Sequence, residues 1–374
     1  MPAPVLDLVP QLPPATRERL ESAGIDLSNG YPSWPERPTD LKLAASVRAG
    51  AREHKDPGLR ADPSKKNLFG AAKQVINLSQ HLGTEIVGLQ LSQLNDAQKD
   101  ELALLIAERT VVFFRDQDLT PQAQRDLGAY FGEVEVHPSA PQVPGLPGVS
   151  IIWDRLTGTN DNGFRNPFGT QDWHTDLTHE KQPPGITHLH NDTIPEVGGD
   201  TYWASGYSAY DKLSPAFRNI IDGLSAVYRS AHSYPNPDDP NGERIPIERT
   251  HPLVRIHPVT GWKSLFANRK YTLRIVGLEP AESKAILDYL FDLYERTLDI
   301  QVRFKWSPRT SALWDNRVSI HAAVYDYEGK APRHGTRVSS LAEIPYFDAK
   351  APSRRTALGL DKPEDFEPKK PRVY

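Results

Sequence analysis

Short apolar stretches closed by turn residues recur along this chain, and that punctuation narrows the folds open to it. Val75-Ile76-Asn77-Leu78, Ile86–Leu89, Val111–Phe114, Val149–Trp153, Ile186–His190, Tyr202-Trp203, Leu253–Ile256, Ser264–Phe266, Val302–Trp306, Ala312–Trp314 and Val318–Val324 all read as strands. Helical spacing is rarer. Asn95 opens a helix as an N-cap and carries Leu102, Leu104, Leu105 and Ile106 toward a core, while Thr120 caps a second that Gly132 closes. Ala15–Ala23, Thr39–Glu53, Ala209–Lys212 and Pro215–Gly223 are further short candidates. Pro280–Thr297 is the clearest amphipathic helix, with Ile286, Leu287, Leu290, Phe291 and Tyr294 on one face. There is no glycine-rich phosphate loop, no sustained βαβ alternation and no internal repeat. With 34 prolines and 25 glycines to make turns, the pattern predicts a mainly β fold with flanking α. A double-stranded β-helix core, jelly-roll and cupin-like, with helices outside satisfies it.

At 374 residues the chain has room for one large domain or two ordinary ones. Residues 1–70 are rich in proline and charge and read as an arm packed on the main domain 71–374. The basic stretch Lys65–Lys73 reads as a solvated loop, and the polar, proline-rich stretch around 233–250 as an insertion or flap. A net charge of −4 with interspersed signs gives no electrostatic case for nucleic acid or an acidic membrane surface. The absence of cysteine removes disulfides, thiol nucleophiles and iron–sulfur clusters from consideration. No secretory signal and no membrane-spanning apolar run is legible, so the expected location is cytoplasmic. Assembly into a homo-oligomer is left open.

The chemistry concentrates in two places. Trp314 to Arg337 runs from a buried-looking strand through His321, set in an alternating segment, to two arginines four apart, Arg333 and Arg337. A histidine can hold a metal and an arginine fork can hold an anion. Upstream, His174-Thr175-Asp176 is an H-x-D, and on an extended segment its first and third residues face one way. His174, Asp176 and the distant His321 together would make the two-histidine, one-carboxylate face used by non-haem iron oxygenases. H-x-D alone is a weak signal. His188 and His190 alternate on a strand and read as sheet-face residues, His251 and His257 as structural, and Trp173 as packing.

Several motifs then converge. WHTD (173–176), GGDTYWAS (198–205), HPLVRIHPVTG (251–261), WDNRVSIHAAVYDY (314–327), FGEVEVHP (131–138) and the R-x-x-x-R of Arg333 and Arg337 resemble the taurine/2,4-D dioxygenase (TauD/TfdA) family, especially its fungal sulfonate dioxygenase-like members. The resemblance covers roughly residues 70 to 345. It implies an Fe(II)- and 2-oxoglutarate-dependent dioxygenase that consumes O2 and releases succinate and CO2. It also implies that His174, Asp176 and His321 bind iron and that Thr201 and Arg333 hold the distal carboxylate of 2-oxoglutarate. Arg337 and His137 would meet the substrate's anionic group. One extra residue separates the Asp326-Tyr327 pair from the arginines, so the roles of Arg333 and Arg337 stay exchangeable at this stage.

The expected partner is a small anionic organic substrate. Taurine-specialised relatives carry a tyrosine three residues after the loop histidine and an asparagine shortly before H-x-D. Here those places hold Ala140 and the Thr170-Gln171 region. Where fungal relatives carry Gly-Glu-Arg-Pro-Tyr, this chain reads Ala342-Glu343-Ile344-Pro345-Tyr346, which makes Ile344 an apolar candidate for the substrate wall. A sulfonate or sulfate ester is the first expectation. The alternative is an amino acid or other small carboxylate of specialised metabolism, hydroxylated, desaturated or closed into a ring.

Overall fold

The apolar runs pair into sheets, and several of them, Val111–Phe114, Pro184–Thr193 and Thr310–Asp315 among them, are buried along nearly their whole length. In the computed structural model, which describes residues 7–34, 43, 44, 47, 52–157, 172–234, 244–327 and 331–362, the strands are as follows. They are β1 (Gln74–Asn77), β2 (Thr84–Val87), β3 (Val111–Phe114), β4 (Glu133–Val134), β5 (Ser150–Trp153), β6 (Pro184–Thr193), β7 (Thr201–Ser205) and β8 (Ser225–Tyr234). After them come β9 (Ile245–Pro252), β10 (Val254–Ile256), β11 (Lys263–Leu265), β12 (Thr272–Ile275), β13 (Gln301–Phe304), β14 (Thr310–Asp315), β15 (Ser319–Ala323) and β16 (His334–Leu341). The major sheet has eight strands in the order β1-β2-β3-β14-β6-β16-β4, with β5 also paired to β16. The minor sheet is β13-β7-β15, and β12-β8-β9 and β10-β11 form smaller sheets. Major and minor sheets make the two layers of a jelly roll.

Period-two alternation sorts the major-sheet residues between two cores. Val111, Phe113, Leu189, Ala312 and Trp314 point inward and pack with Trp203, Val302 and Phe304 of the minor sheet. Phe113 stacks on Phe304 with ring centroids 3.8 Å apart, and Trp203 meets Trp314 edge-on at 5.8 Å. Val112, Phe114, Ile186 and Leu313 point outward and pack with Leu102, Leu105 and Ile106 of the helix Asp96–Arg109 and Leu127 of the helix Pro121–Phe131. Asn95 and Gln98 close a capping box on the first of these helices, and Thr120 caps the second.

His188 and His190 belong to this outer face. Both rings share the Ser311 hydroxyl, at 2.9 and 3.0 Å, as expected of sheet-face residues rather than ligands. The segment 7–34 also lies on the outside. Leu8, Leu12, Leu20, Ile25 and Tyr31 share a cluster with Val143, Val149, Trp153 and Val338. Tyr31 Oη lies 2.7 Å from His334 Nε2, and His334 Nδ1 lies 3.0 Å from Asp192 Oδ1.

Two stretches differ from expectation. Lys65–Lys73 is not all loop, because Lys66–Ala71 forms a helix. Its support is tertiary: Glu101 accepts from the Leu68 N–H at 2.7 Å and from Asn67 Nδ2 at 2.6 Å. The 233–250 region contributes the ends of β8 and β9, which pair with each other, while 235–243 lie outside the described residues. Most of the expected helix Thr39–Glu53 and the polar loop leading to Asp172, Thr170 and Gln171 included, also lie outside them. Among the described residues no helix is long and apolar enough to cross a membrane.

Helix Pro121–Phe131 approaches β16 most closely at Gly128, where a Cβ would fall 2.4 Å from Val338 Cγ1. Gly128→Ala is expected to cost about 1–3 kcal/mol by overpacking, read as a lower urea midpoint. Adding Val338→Ala should recover part of the loss, and a double variant weaker than the sum of the two singles would refute that contact.

Candidate active site

The chain delivers His174 on an extended segment that meets β15 through one antiparallel bridge. The His174 N–H donates to His321 O at 2.9 Å, and the His321 N–H donates to His174 O at 2.8 Å. That exchange brings two remote histidines side by side, with ring centroids 4.3 Å apart. Asp176, two residues on, faces the same way, and His174 Nε2 lies 3.8 Å from Asp176 Oδ1. One ligand atom from each of His174, Asp176 and His321 lies within 4.8 Å of the others, the one such three-residue grouping among the described residues.

Each side chain is oriented by a neighbour. His174 Nδ1 lies 2.8 Å from the Asp172 carbonyl, which can only accept, so Nδ1 carries the proton and the Nε2 lone pair is free for a metal. Thr187 on β6 donates to Asp176 Oδ2 at 3.3 Å, and Arg337 Nη1 donates to Asp176 Oδ1 at 3.1 Å. Asn316 takes the Asp176 N–H at 3.3 Å on its Oδ1 and gives its Nδ2 hydrogen to Thr187 Oγ1 at 2.8 Å. Ser319 O accepts from the Thr175 hydroxyl at 2.8 Å, anchoring the residue between the two ligands.

The electrostatics suit a divalent cation. Burial pushes the His321 imidazole down to about 3, with His174 adding to the effect. Burial and then Lys270 lower His174. Both rings are therefore neutral ligands near neutral pH. Burial pushes Asp176 up, but the Arg337 guanidinium, helped by the Thr187 hydroxyl, holds the carboxyl below its usual range. The donor set is two imidazoles and one carboxylate on one side, and His321 Nδ1 is buried there without a hydrogen-bond partner. This fits Fe(II), with coordination positions left for other ligands.

Arg333 and Arg337 project from the same side of the β16 segment. Arg333 is buried and its Nη2 lies 3.5 Å from Thr201 Oγ1 on β7. The Trp306 indole N–H donates to that same oxygen at 3.0 Å, which leaves the Thr201 hydroxyl proton to point elsewhere. Arg333 Nε is buried and unpartnered. Fixed donors around a space this enclosed suit a carboxylate, as the distal end of 2-oxoglutarate requires. Arg337 instead points to Asp176.

His137 Nε2 lies 3.2 Å from Tyr234 Oη. Ring contacts then run from Tyr234 to His179 at 5.6 Å, His179 to Tyr271 at 6.0 Å, and Tyr271 to His174 at 6.1 Å. An aromatic wall therefore joins His137 to His174. Ile344 is 43% exposed, next to Glu343, which turns to Arg255 and Arg317. His251 bonds Glu180 O at 2.8 Å and His257 bonds Asp315 Oδ2 at 2.9 Å, in keeping with structural roles. Trp173 is buried and meets Tyr202 edge-on at 6.0 Å. Thr187, Asn316 and Tyr271 were not foreseen from the sequence. Asn316 lies inside the quoted WDNR, and its one signal was a polar residue in a run that reads as buried.

A jelly roll presenting two histidines and a carboxylate beside a buried arginine defines an Fe(II)- and 2-oxoglutarate-dependent dioxygenase. Residues 74–339 match the family described as taurine catabolism dioxygenase TauD, TfdA family, and the chain belongs to it. It is 36% identical over 308 residues to the alpha-ketoglutarate-dependent sulfonate dioxygenase of Saccharomyces cerevisiae, spanning 80% of this chain and 75% of that one. It is 39% identical over 344 residues to the alpha-ketoglutarate-dependent dioxygenase cnsP of Penicillium expansum, spanning 88% and 90%. Among solved structures, a taurine dioxygenase from Burkholderia xenovorans is similar with a TM-score of 0.62 and 34% identity, over 73% of this chain and 91% of that one.

Buried neutral histidines make stability depend on pH. His188 and His251 are each pushed down to about 3, chiefly by burial. The unfolded chain takes up their protons below about 6.5 while the folded one does not, so their contribution is whole above that pH and shrinks as pH falls toward 3. The urea midpoint should fall across that window, and His188→Asn should flatten the slope. An unchanged slope would remove His188 as a contributor.

Proposed function

We propose that the enzyme oxidises a small organic anion, a sulfonate or sulfate ester, while converting 2-oxoglutarate and O2 to succinate and CO2. The observation that carries this reading is the pair of arginines, Arg333 just before β16 and Arg337 on it, of which one reaches Thr201 and the other reaches Asp176. A dicarboxylate cosubstrate needs one cation away from the metal, and a second anion beside it needs another to offset their repulsion. Arg333 with Thr201 serves the cosubstrate in this reading, and Arg337 with His137 serves the substrate. His174, Asp176 and His321 hold the iron.

Bound ferrous iron supplies activation of O2 and its coupling to oxidation of a substrate C–H bond. The residues do the rest by placement. Arg337 bridges from Asp176 toward the substrate's anionic group and so sets the distance from that group to the metal. The wall of Tyr234, His179 and Tyr271 excludes water from the same side. Hydroxylation of the carbon next to the heteroatom then lets the C–S or C–O bond break: the new hydroxyl loses its proton and becomes a carbonyl, and sulfite or sulfate leaves with the bonding electron pair. The Saccharomyces cerevisiae relative, named for sulfonates, supports this substrate class.

A second reading keeps the cofactor chemistry but takes an amino acid or other small carboxylate, and Ala140 and Ile344 favour it by offering no polar or cationic contact. Residues 1–70 are read as an arm on a single catalytic domain, supported by the Tyr31–His334 bond. A cytoplasmic location is part of the proposal, because ferrous iron and 2-oxoglutarate are supplied there.

Succinate release, measured against a panel of alkyl sulfonates, sulfate esters and amino acids, separates the two readings. Stimulation by amino acids alone would sink the first. Asp176→Ala is expected to abolish iron-dependent turnover, and full retained activity would take it out of the metal site. Arg337→Ala should raise the substrate KM by about tenfold or more, the scale of a lost charge-assisted bond, while sparing basal 2-oxoglutarate turnover. Loss of basal turnover instead would make Arg337 the cosubstrate clamp.

A further inference from the structure

Asn191 lies on β6 between Thr310 of β14 and Gly335 of β16. Its side chain is fully buried, and neither its amide oxygen nor its amide nitrogen has a hydrogen-bond partner. Native proteins rarely leave both ends of a buried amide unpaired, because each lost bond is costly. Such a group calls for a ligand.

Its direction follows from Gly335. A Cβ at that position would fall 2.3 Å from Asn191 Oδ1. The amide therefore fills the space on the side toward which residue 335 would point. Alternate residues of a strand face one way, so that is the side of Arg333 and Arg337. The intervening residues face outward: His334 bonds Tyr31, and Thr336 bonds Gln124 and Arg19. Gly335 thus opens a gap in the cosubstrate side of the strand, and Asn191 reaches into it from the neighbouring strand. Arg333 Nε, also buried and unpartnered, is on the same face. Any side chain at 335 would also meet His190 O at 2.6 Å, so glycine and asparagine here form a matched pair.

We propose that Asn191 is a further cosubstrate-binding residue, giving its amide hydrogens to the distal carboxylate of 2-oxoglutarate beside Arg333 and Thr201. The inference rests on the reading of Arg333 as the cosubstrate clamp. A neutral amide adds a directed donor without adding charge. It also lines the wall along which the carbon chain of the cosubstrate would lie, so it favours a dicarboxylate over a shorter 2-oxo acid.

The test uses the full-length iron enzyme without oxygen. Dissociation constants for 2-oxoglutarate and for 2-oxobutyrate, which keeps the chelating end but lacks the distal carboxylate, are read from the visible charge-transfer band of the iron chelate. Asn191→Ala should weaken 2-oxoglutarate by about tenfold and leave 2-oxobutyrate unchanged. Asn191→Leu, which keeps the shape and removes the polar atoms, should do the same and guards against a cavity artefact. Unchanged 2-oxoglutarate affinity in both variants, or equal weakening of both acids, overturns the proposal. Arg333→Gln separates the two ideas. If it too leaves 2-oxoglutarate unaffected, the clamp reading fails and Asn191 falls with it. If it weakens binding while the Asn191 variants do not, only the Asn191 proposal falls.

Discussion

One backbone exchange holds the active site together: the reciprocal N–H to carbonyl bonds between His174 and His321. Metal ligands from distant parts of a chain need a device that sets their separation to a fraction of an ångström. Here the device is the β-bridge itself, which fixes two α-carbons opposite each other before any metal binds. Asp176 follows two residues on, where Thr187, Asn316 and Arg337 hold it. Thr175, pinned to Ser319, keeps the segment extended and so keeps the first and third residues on one side.

The bridge is only as firm as β15, and the turn into β15 is held by buried charge. Arg317 reaches Asp315 at 2.6 Å, Asp56 at 2.7 Å and Glu343 at 3.3 Å, while Arg255 takes the other oxygen of Glu343. Burial alone would raise the Glu343 carboxyl, but Arg317 and Arg255 bring it down to about 2. Buried ion pairs of this kind add little net stability, but removing one partner strands the others. Their value here is a single geometry for the turn between β14 and β15. A separate cluster, Asp192 with Arg19, Thr16 and His334, does the same for the outer side of β6 and β16. Residues of the N-terminal segment thereby bear on the strand that carries the arginines.

The meeting of His174, Asp176 and His321 was legible because all three sit in motifs whose order along the chain is specific. His188 and His190 were legible as sheet-face residues, because they alternate on a strand, but alternation alone does not say that their face is the outer one. What sequence could not show was support from a distance. The helix at Lys66–Ala71 depends on Glu101 of another helix, and local propensity carries no trace of that partner. Thr187 and Asn316 act on Asp176 through contacts set by sheet register, which spacing alone does not reveal. The ambiguity over the arginines had the same origin: an extra residue in the loop leaves two alignments, and what bears on the choice, the nearness of Arg333 to Thr201 on a facing strand, is a contact that spacing does not reveal.

The contact between Arg337 and Asp176 joins the two ends of the reaction. The guanidinium draws electron density from the very oxygen atom closest to His174. Under the roles proposed for these residues, an incoming anion that shares this guanidinium would loosen its hold and leave the carboxylate a stronger electron donor. Iron and substrate would then favour each other's occupancy, and by thermodynamic reciprocity the gain would be equal in both directions. On the same proposal, a vacant substrate pocket would leave the metal more weakly held, and the resting protein would be the form most prone to lose its iron.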